Sequence, residues 1–159
     1  MLHFLAYKVI QLAMEKNLTL CTAESLTGGM IAARLTGIPG ASRVLLGGIV
    51  SYSAHVKHML LEVTQDAINC CEAVNETCAK QMAQGAKARL GADIAISCTG
   101  LAGPGGGTEQ TPVGTVFLSV ASEKRLKTLK VRFPGGRSMV RRRTTATALN
   151  LLLDEISAW

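Results

Sequence analysis

Residues 22–29 read Thr-Ala-Glu-Ser-Leu-Thr-Gly-Gly (TAESLTGG), and the reading of this stretch decides the fold. Before it, residues 18–22 form a short apolar run after Lys16-Asn17, which predicts a strand. After it, residues 27–35 have helical spacing, begin with the small Gly28 and Gly29, and stop at Gly37 and Pro39. A strand, a tight turn at Glu24-Ser25 and a helix make the unit from which α/β sheets are wound.

Working outward from this unit, Leu5, Val9, Leu12 and Ala13 recur at helical spacing and predict a helix ending near Lys16-Asn17. Residues 44–53 are β-like, and a short helix over 55–61 carries Lys57. Thr64 can cap a short helical turn, and Asn75 can cap a longer helix running to about Leu90, with Cys78, Met82 and Ala86 at four-residue steps and Gly91 closing it. Residues 93–99 are apolar without alternation, which predicts a strand covered on both faces at the centre of the sheet. Residues 100–112 are too glycine-rich for regular structure. Residues 113–121 and 126–133 read as an antiparallel hairpin; in its second strand Leu129, Val131 and Phe133 alternate with Thr128, Lys130 and Arg132, which predicts one buried and one wet face. Gly135-Gly136 then release a helix to about Ser157 with Val140, Thr144, Ala148, Leu152 and Ile156 as its buried stripe. The expected fold is a three-layer α/β/α domain over residues 1–159 with a mixed sheet.

With 48% hydrophobic and 18% charged residues, the composition is globular rather than disordered. The apolar runs are far shorter than the roughly 20 residues of a membrane helix, and residues 1–14 lack the basic start and small-residue cleavage site of a signal peptide. A cytoplasmic protein with no membrane partner is expected. Cysteines at 21, 70, 71, 78 and 98 have no paired CxxC spacing; reduced, mostly buried thiols are expected, with no metal site and no cofactor. The net charge of +6 favours anionic partners, either nucleic acid or a small phosphorylated ligand. Only six aromatic residues are available as stacking platforms, which weighs against single-stranded nucleic acid.

Reactive groups concentrate in four places. Ser25 leads into a helix, where a serine is ordinarily an N-cap and alternatively a nucleophile, and Glu24 is ordinarily a charge near the helix dipole. Lys57 is ordinarily solvated, and could act as a base only if desolvation lowered its pKa. Tyr52 at a strand end is either half-buried core or a group that relays a proton or positions the lysine. The run GLAGPGGG over 100–107 leaves the carboxyl end of the expected central strand, where open α/β sheets hold ligands, and its bare N–H groups can approach an anion or a carbonyl. It is neither a GxGxxG fingerprint nor a P-loop. Arg137 and Arg141 are four apart at the start of the last helix and share a face suited to phosphate, whereas Arg142 and Arg143 point elsewhere.

Taken in order, TAESLTGG at 22–29, GIPGAS at 37–42, Tyr52-Ser53 to Lys57, TGLAGPGGGT at 99–108, PVGTV at 112–116 and FPGGR at 133–137 closely resemble the CinA C-terminal-domain family of nicotinamide-nucleotide amidases. The resemblance covers nearly the whole chain. It implies hydrolysis of nicotinamide mononucleotide to nicotinic acid mononucleotide and ammonia, with Ser25 as nucleophile, Lys57 as its base and Tyr52 as helper, in a Ser-Lys variant of the triad logic. Glu24, Thr27, Gly28, Thr99, Gly100, Gly103, Gly106, Arg137 and Arg141 are the implied substrate contacts. A symmetric homo-oligomer is implied too, and this chain has no room for the pyrophosphatase-like domain to which the module is sometimes fused. The chain departs from the family pattern at Ala54, Glu62, Thr111 and Gly136. The last two lie where ribose and phosphate would be read, so a silent or repurposed nucleotide-binding domain is the alternative reading.

Overall fold

In the computed structural model, which describes residues 1–159, β1 is Leu20–Glu24 and the helix after it, α2, is Met30–Thr36. The strand therefore ends two residues later than the apolar run suggested and the helix starts three residues later. One side chain causes the shift: the Glu24 carboxylate accepts the N–H groups of Gly29, Ile31 and Ala32 at 2.8–3.1 Å. It satisfies the orphan donors that a conventional cap would take. Gly29, at φ +95°, supplies the left-handed residue that turns the chain into α2.

The remaining elements are α1 (Leu2–Glu15), β2 (Leu45–Val50), α3 (Ala54–Leu61), α4 (Gln65–Asn69), α5 (Glu76–Leu90), β3 (Ile94–Gly100), β4 (Thr115–Ala121), β5 (Leu126–Arg132) and α6 (Arg137–Ser157), with 3₁₀ turns at Ala41–Arg43 and Cys70–Ala73. The expected caps form: Thr64 accepts the Ala67 N–H and Asn75 the Cys78 N–H. Strand order is β2-β1-β3-β4-β5, with β1 parallel to β2 and β3, and β4 antiparallel to both β3 and β5. This is a single α/β domain, and β3 is its middle strand.

The two faces of the sheet are packed differently. Leu20, Ile94, Ile96, Leu118 and Val120 meet α1, α2 and α6 in one core that includes Val140, Ala148, Leu152 and Ile156 of the expected stripe, and Thr144 is buried alongside. On the other face Cys21, Ala23 and Ala95 meet Cys78, Met82 and Ala86 of α5. Small residues there let α5 come close, and the Ser97 hydroxyl donates to the Ala79 carbonyl at 2.6 Å. Gly85 does the same on the far side of α5, because a Cβ at that position would overlap the Leu61 carbonyl at the end of α3.

One expectation changes. Leu129 is 37% exposed and β5 has no dry face, because it is an edge strand that neither helical layer fully covers. Cys70 and Cys71 are exposed, whereas Cys21, Cys78 and Cys98 are buried as expected. No helix is long and apolar enough to cross a membrane.

Candidate active site

From β1 the chain passes to β2 on one side, and from β2 back across to β3 on the other. The carboxyl ends of these three parallel strands therefore border a switch-point crevice, the usual ligand site of such sheets. Ser25 follows β1, Ser51 follows β2, and Thr99-Gly100 end β3. The ends are tied together: the Ser25 N–H donates to the Cys98 carbonyl at 3.1 Å and the Ser51 N–H to the Glu24 carbonyl at 2.8 Å. Ser25 is 7% exposed at the resulting rim.

Helix α3 brings Lys57 to the same point. Ser53 caps it by accepting the Val56 N–H, and Glu62 ends it in the left-handed conformation. Lys57 is 3% exposed, and its Nζ lies 2.9 Å from Ser25 Oγ, 2.7 Å from the Ser51 carbonyl and 3.4 Å from the Tyr52 carbonyl. A neutral amine has two N–H donors and one lone pair. The two carbonyls can take the donors, which leaves the lone pair facing the Ser25 hydroxyl proton. Burial holds the lysine pKa below its ordinary value, with the Cys78 and Cys98 thiols opposing. No carboxylate offsets this, since the one ion pair in the chain is Lys80–Glu76.

The residues around Ser25 hold the turn rather than the cleft. Besides the three N–H groups, the Glu24 carboxylate accepts the hydroxyls of Thr27 (2.6 Å) and Thr22 (3.3 Å), and Glu24 is 1% exposed. The Thr27 hydroxyl also lies 3.1 Å from Cys98 Sγ. Arg141 donates from Nε to the Leu26 carbonyl and from Nη2 to the Thr27 carbonyl, both at 2.9 Å, and Gly28 leaves room for its guanidinium. Glu24 and Thr27, named from sequence as substrate contacts, thus have their polar groups engaged within the protein, whereas Arg141 keeps its Nη1 group without a protein acceptor. The Leu26 N–H, the first after the serine, donates to no acceptor in the chain.

Arg137 stands apart from Arg141. It is exposed at the first position of α6, and its two amino groups donate to the Gly103 carbonyl at 3.1 Å and the Tyr52 hydroxyl at 2.9 Å. The Tyr52 ring is 61% exposed, and its hydroxyl pairs with this arginine, not with Ser25 or Lys57. The Tyr52 hydroxyl is therefore not placed to relay a proton, and it is the backbone carbonyl of Tyr52, 3.4 Å from Lys57 Nζ, that faces the lysine. Thr99 is buried, donating to the Ala73 carbonyl at 2.8 Å, and Gly100 packs too tightly on Thr115 and Val116 for a side chain. Gly103 is buried against Val113 and Gly106 is exposed in the loop, both with positive φ.

The departures at Ala54, Glu62, Thr111 and Gly136 sit beside the dyad and not in it. Glu62 takes the left-handed C-cap of α3, and Gly136 is the N-cap of α6, without a side-chain bond. Thr111 closes a tight turn with Thr108. Ser51 was not singled out from sequence. It supplies the shortest contact to Lys57, its own hydroxyl is buried without a partner, and its only sequence signal is its place before Tyr52 at a strand end. The GIPGAS segment instead borders a separate concavity of about 540 Å³. No three His, Cys, Asp or Glu side chains converge as a metal site.

The CinA C-terminal domain model matches residues 2–156, and the chain belongs to that family. It is 42% identical over 144 residues to a CinA-like protein of Thermotoga sp. strain RQ2, covering 91% of this chain and 35% of that protein. A CinA-like protein of Mycobacterium marinum is 50% identical over 139 residues, covering 87% of this chain and 33% of its own length. The chain thus spans about a third of these relatives. Among solved structures, a CinA superfamily protein from Klebsiella pneumoniae 700603 superposes with a TM-score of 0.95 at 32% identity, covering 100% of this chain and 99% of that one. The competence/damage inducible protein CihA from Agrobacterium tumefaciens gives 0.93 at 37% identity, over 96% and 94%.

Proposed function

We propose that this CinA-family domain hydrolyses the carboxamide of nicotinamide mononucleotide, giving nicotinic acid mononucleotide and ammonia. The observation that carries the reading is the buried lysine amine 2.9 Å from Ser25 Oγ with no carboxylate beside it. Such an amine can be neutral near physiological pH and act as a base, which an exposed lysine cannot.

In the proposed reaction Lys57 takes the Ser25 proton as Oγ attacks the amide carbon. The oxyanion of the tetrahedral intermediate is held by the Leu26 N–H, as in other nucleophile turns. Lys57 then gives the proton to the leaving nitrogen, so ammonia departs and an ester remains on Ser25. Water, deprotonated by Lys57, cleaves that ester and releases the acid, and Lys57 returns the proton to the departing Ser25 Oγ. The sum is one amide and one water in, one carboxylic acid and one ammonia out.

In this reading Arg137, which bridges Tyr52 and Gly103, meets the substrate phosphate together with bare N–H groups of the glycine loop. Arg141 braces the turn from behind. The test is ammonia release from nicotinamide mononucleotide, nicotinamide riboside and nicotinamide. Turnover of the mononucleotide is expected, with kcat/KM lower by roughly 10–100-fold for the riboside, which lacks the charge-assisted phosphate contact. Absence of ammonia from all three would overturn the proposal in favour of ligand binding without turnover.

A further inference from the structure

Cys70 and Cys71 begin the 3₁₀ turn between α4 and α5, both exposed, with their Sγ atoms 3.4 Å apart. They are the accessible thiols of the protein. Burial pushes Cys21 up to about 12 and Cys78 and Cys98 to about 11, which suppresses their thiolates.

Two geometries compete for such a pair. Residues joined by a trans peptide have Cα atoms about 3.8 Å apart, shorter than the roughly 4.4–6.8 Å of an unstrained disulfide, and the sulfurs would have to close to about 2.0 Å. A single soft atom bonded to both sulfurs at about 2.3 Å, a typical thiolate bond length, instead spans the existing gap without moving the backbone. Paired thiolates select soft centres over hard ones.

Beside the thiols there is space for a substituent. Cys71 and Glu72 form one wall of a cavity of about 270 Å³, and Leu101, Gly107, Thr108 and Thr111 form much of the other. A planar apolar group attached to the bridging atom can lie there against Leu101.

We propose that Cys70-Cys71 is a chelating site for trivalent organoarsenicals, with the organic group in the Leu101–Thr111 cavity. Two As–S bonds form, the arsenic–oxygen bond is lost, and the oxygen leaves as water with both thiol protons. The oxidation state of arsenic does not change, so no oxidant is needed. The proposal does not rest on the amidase reading, although its cavity is walled by the same glycine loop.

The test titrates the native protein with phenylarsine oxide and counts thiols still reactive toward an aromatic disulfide. One equivalent should remove both reactive thiols; a dithiol such as 2,3-dimercaptopropanol should release the arsenical, whereas an equal concentration of monothiol should not. Cys70→Ser and Cys71→Ser should each bind at least roughly 100-fold more weakly, since one thiol forfeits the effective concentration of the second. Thermal unfolding checks that both variants fold. Binding unchanged in folded single variants, or release by monothiol as readily as by dithiol, would overturn the proposal.

Discussion

At the scale of single residues, local rules make Ser25 a helix cap, and the structure gives that work to Glu24, whose carboxylate gathers five donors. Neither role is legible in the residue alone. A cap and a nucleophile use the same hydroxyl, and a buried carboxylate looks in sequence like any charge near a helix start. Glu24→Ala should therefore cost on the order of 3 kcal/mol, because several buried donors lose their acceptor at once. Urea unfolding measures this, and a loss under about 1 kcal/mol would mean the donors find other partners. Lys57 makes a second expectation at this scale. Its pKa is lowered by burial, so kcat/KM should rise with pH along a limb whose midpoint lies below the ordinary lysine value of about 10.4. Between the lowered folded value and that unfolded one, the native state binds fewer protons, so stability should also rise with pH across the window. Lys57→Met should remove both slopes, as read by pH–rate profiles and urea midpoints; a midpoint at or above 10.4 would contradict the buried base.

At the scale of elements, end signals read well where side chains make them and poorly where packing does. Thr64 and Asn75 announced their helices because their side chains cap them. The alternation in β5 promised a dry face, but a sheet edge receives only as much cover as the neighbouring helices extend, which periodicity does not encode. Helix α3, which carries Lys57, shows both kinds of constraint at its end. Glu62 is left-handed there, so Glu62→Gly should stabilise the protein by about 0.5–1 kcal/mol, the relief of a left-handed side chain less the added freedom of glycine when unfolded. Gly85 lies across the interface, and Gly85→Ala should cost roughly 1–3 kcal/mol by overpacking and push α3, with its lysine, off Ser25. Differential scanning calorimetry reads both variants, and a neutral Gly85→Ala would show the α3–α5 contact to be looser than its geometry.

At the scale of the whole molecule, the layer order and the central strand were readable from the succession of apolar runs, because a parallel strand covered on both faces has little choice of composition. The crevice was only half readable. That the ends of β1, β2 and β3 lie side by side, with Ser25 at the end of β1, follows from the 2-1-3 strand order, and long-range pairing leaves no local trace. The division of the arginine pair, Arg137 on Tyr52 and Gly103 and Arg141 on the Leu26–Thr27 turn, depends on carbonyls more than a hundred residues away in the case of Arg141. The central claim is that Ser25 performs the chemistry at this meeting point. Steady-state ammonia release from nicotinamide mononucleotide by wild type and by folded Ser25→Ala tests it most directly. Turnover is expected of wild type, with a loss of roughly 10³-fold or more in the variant; release undiminished in Ser25→Ala would show that Ser25 is not the nucleophile.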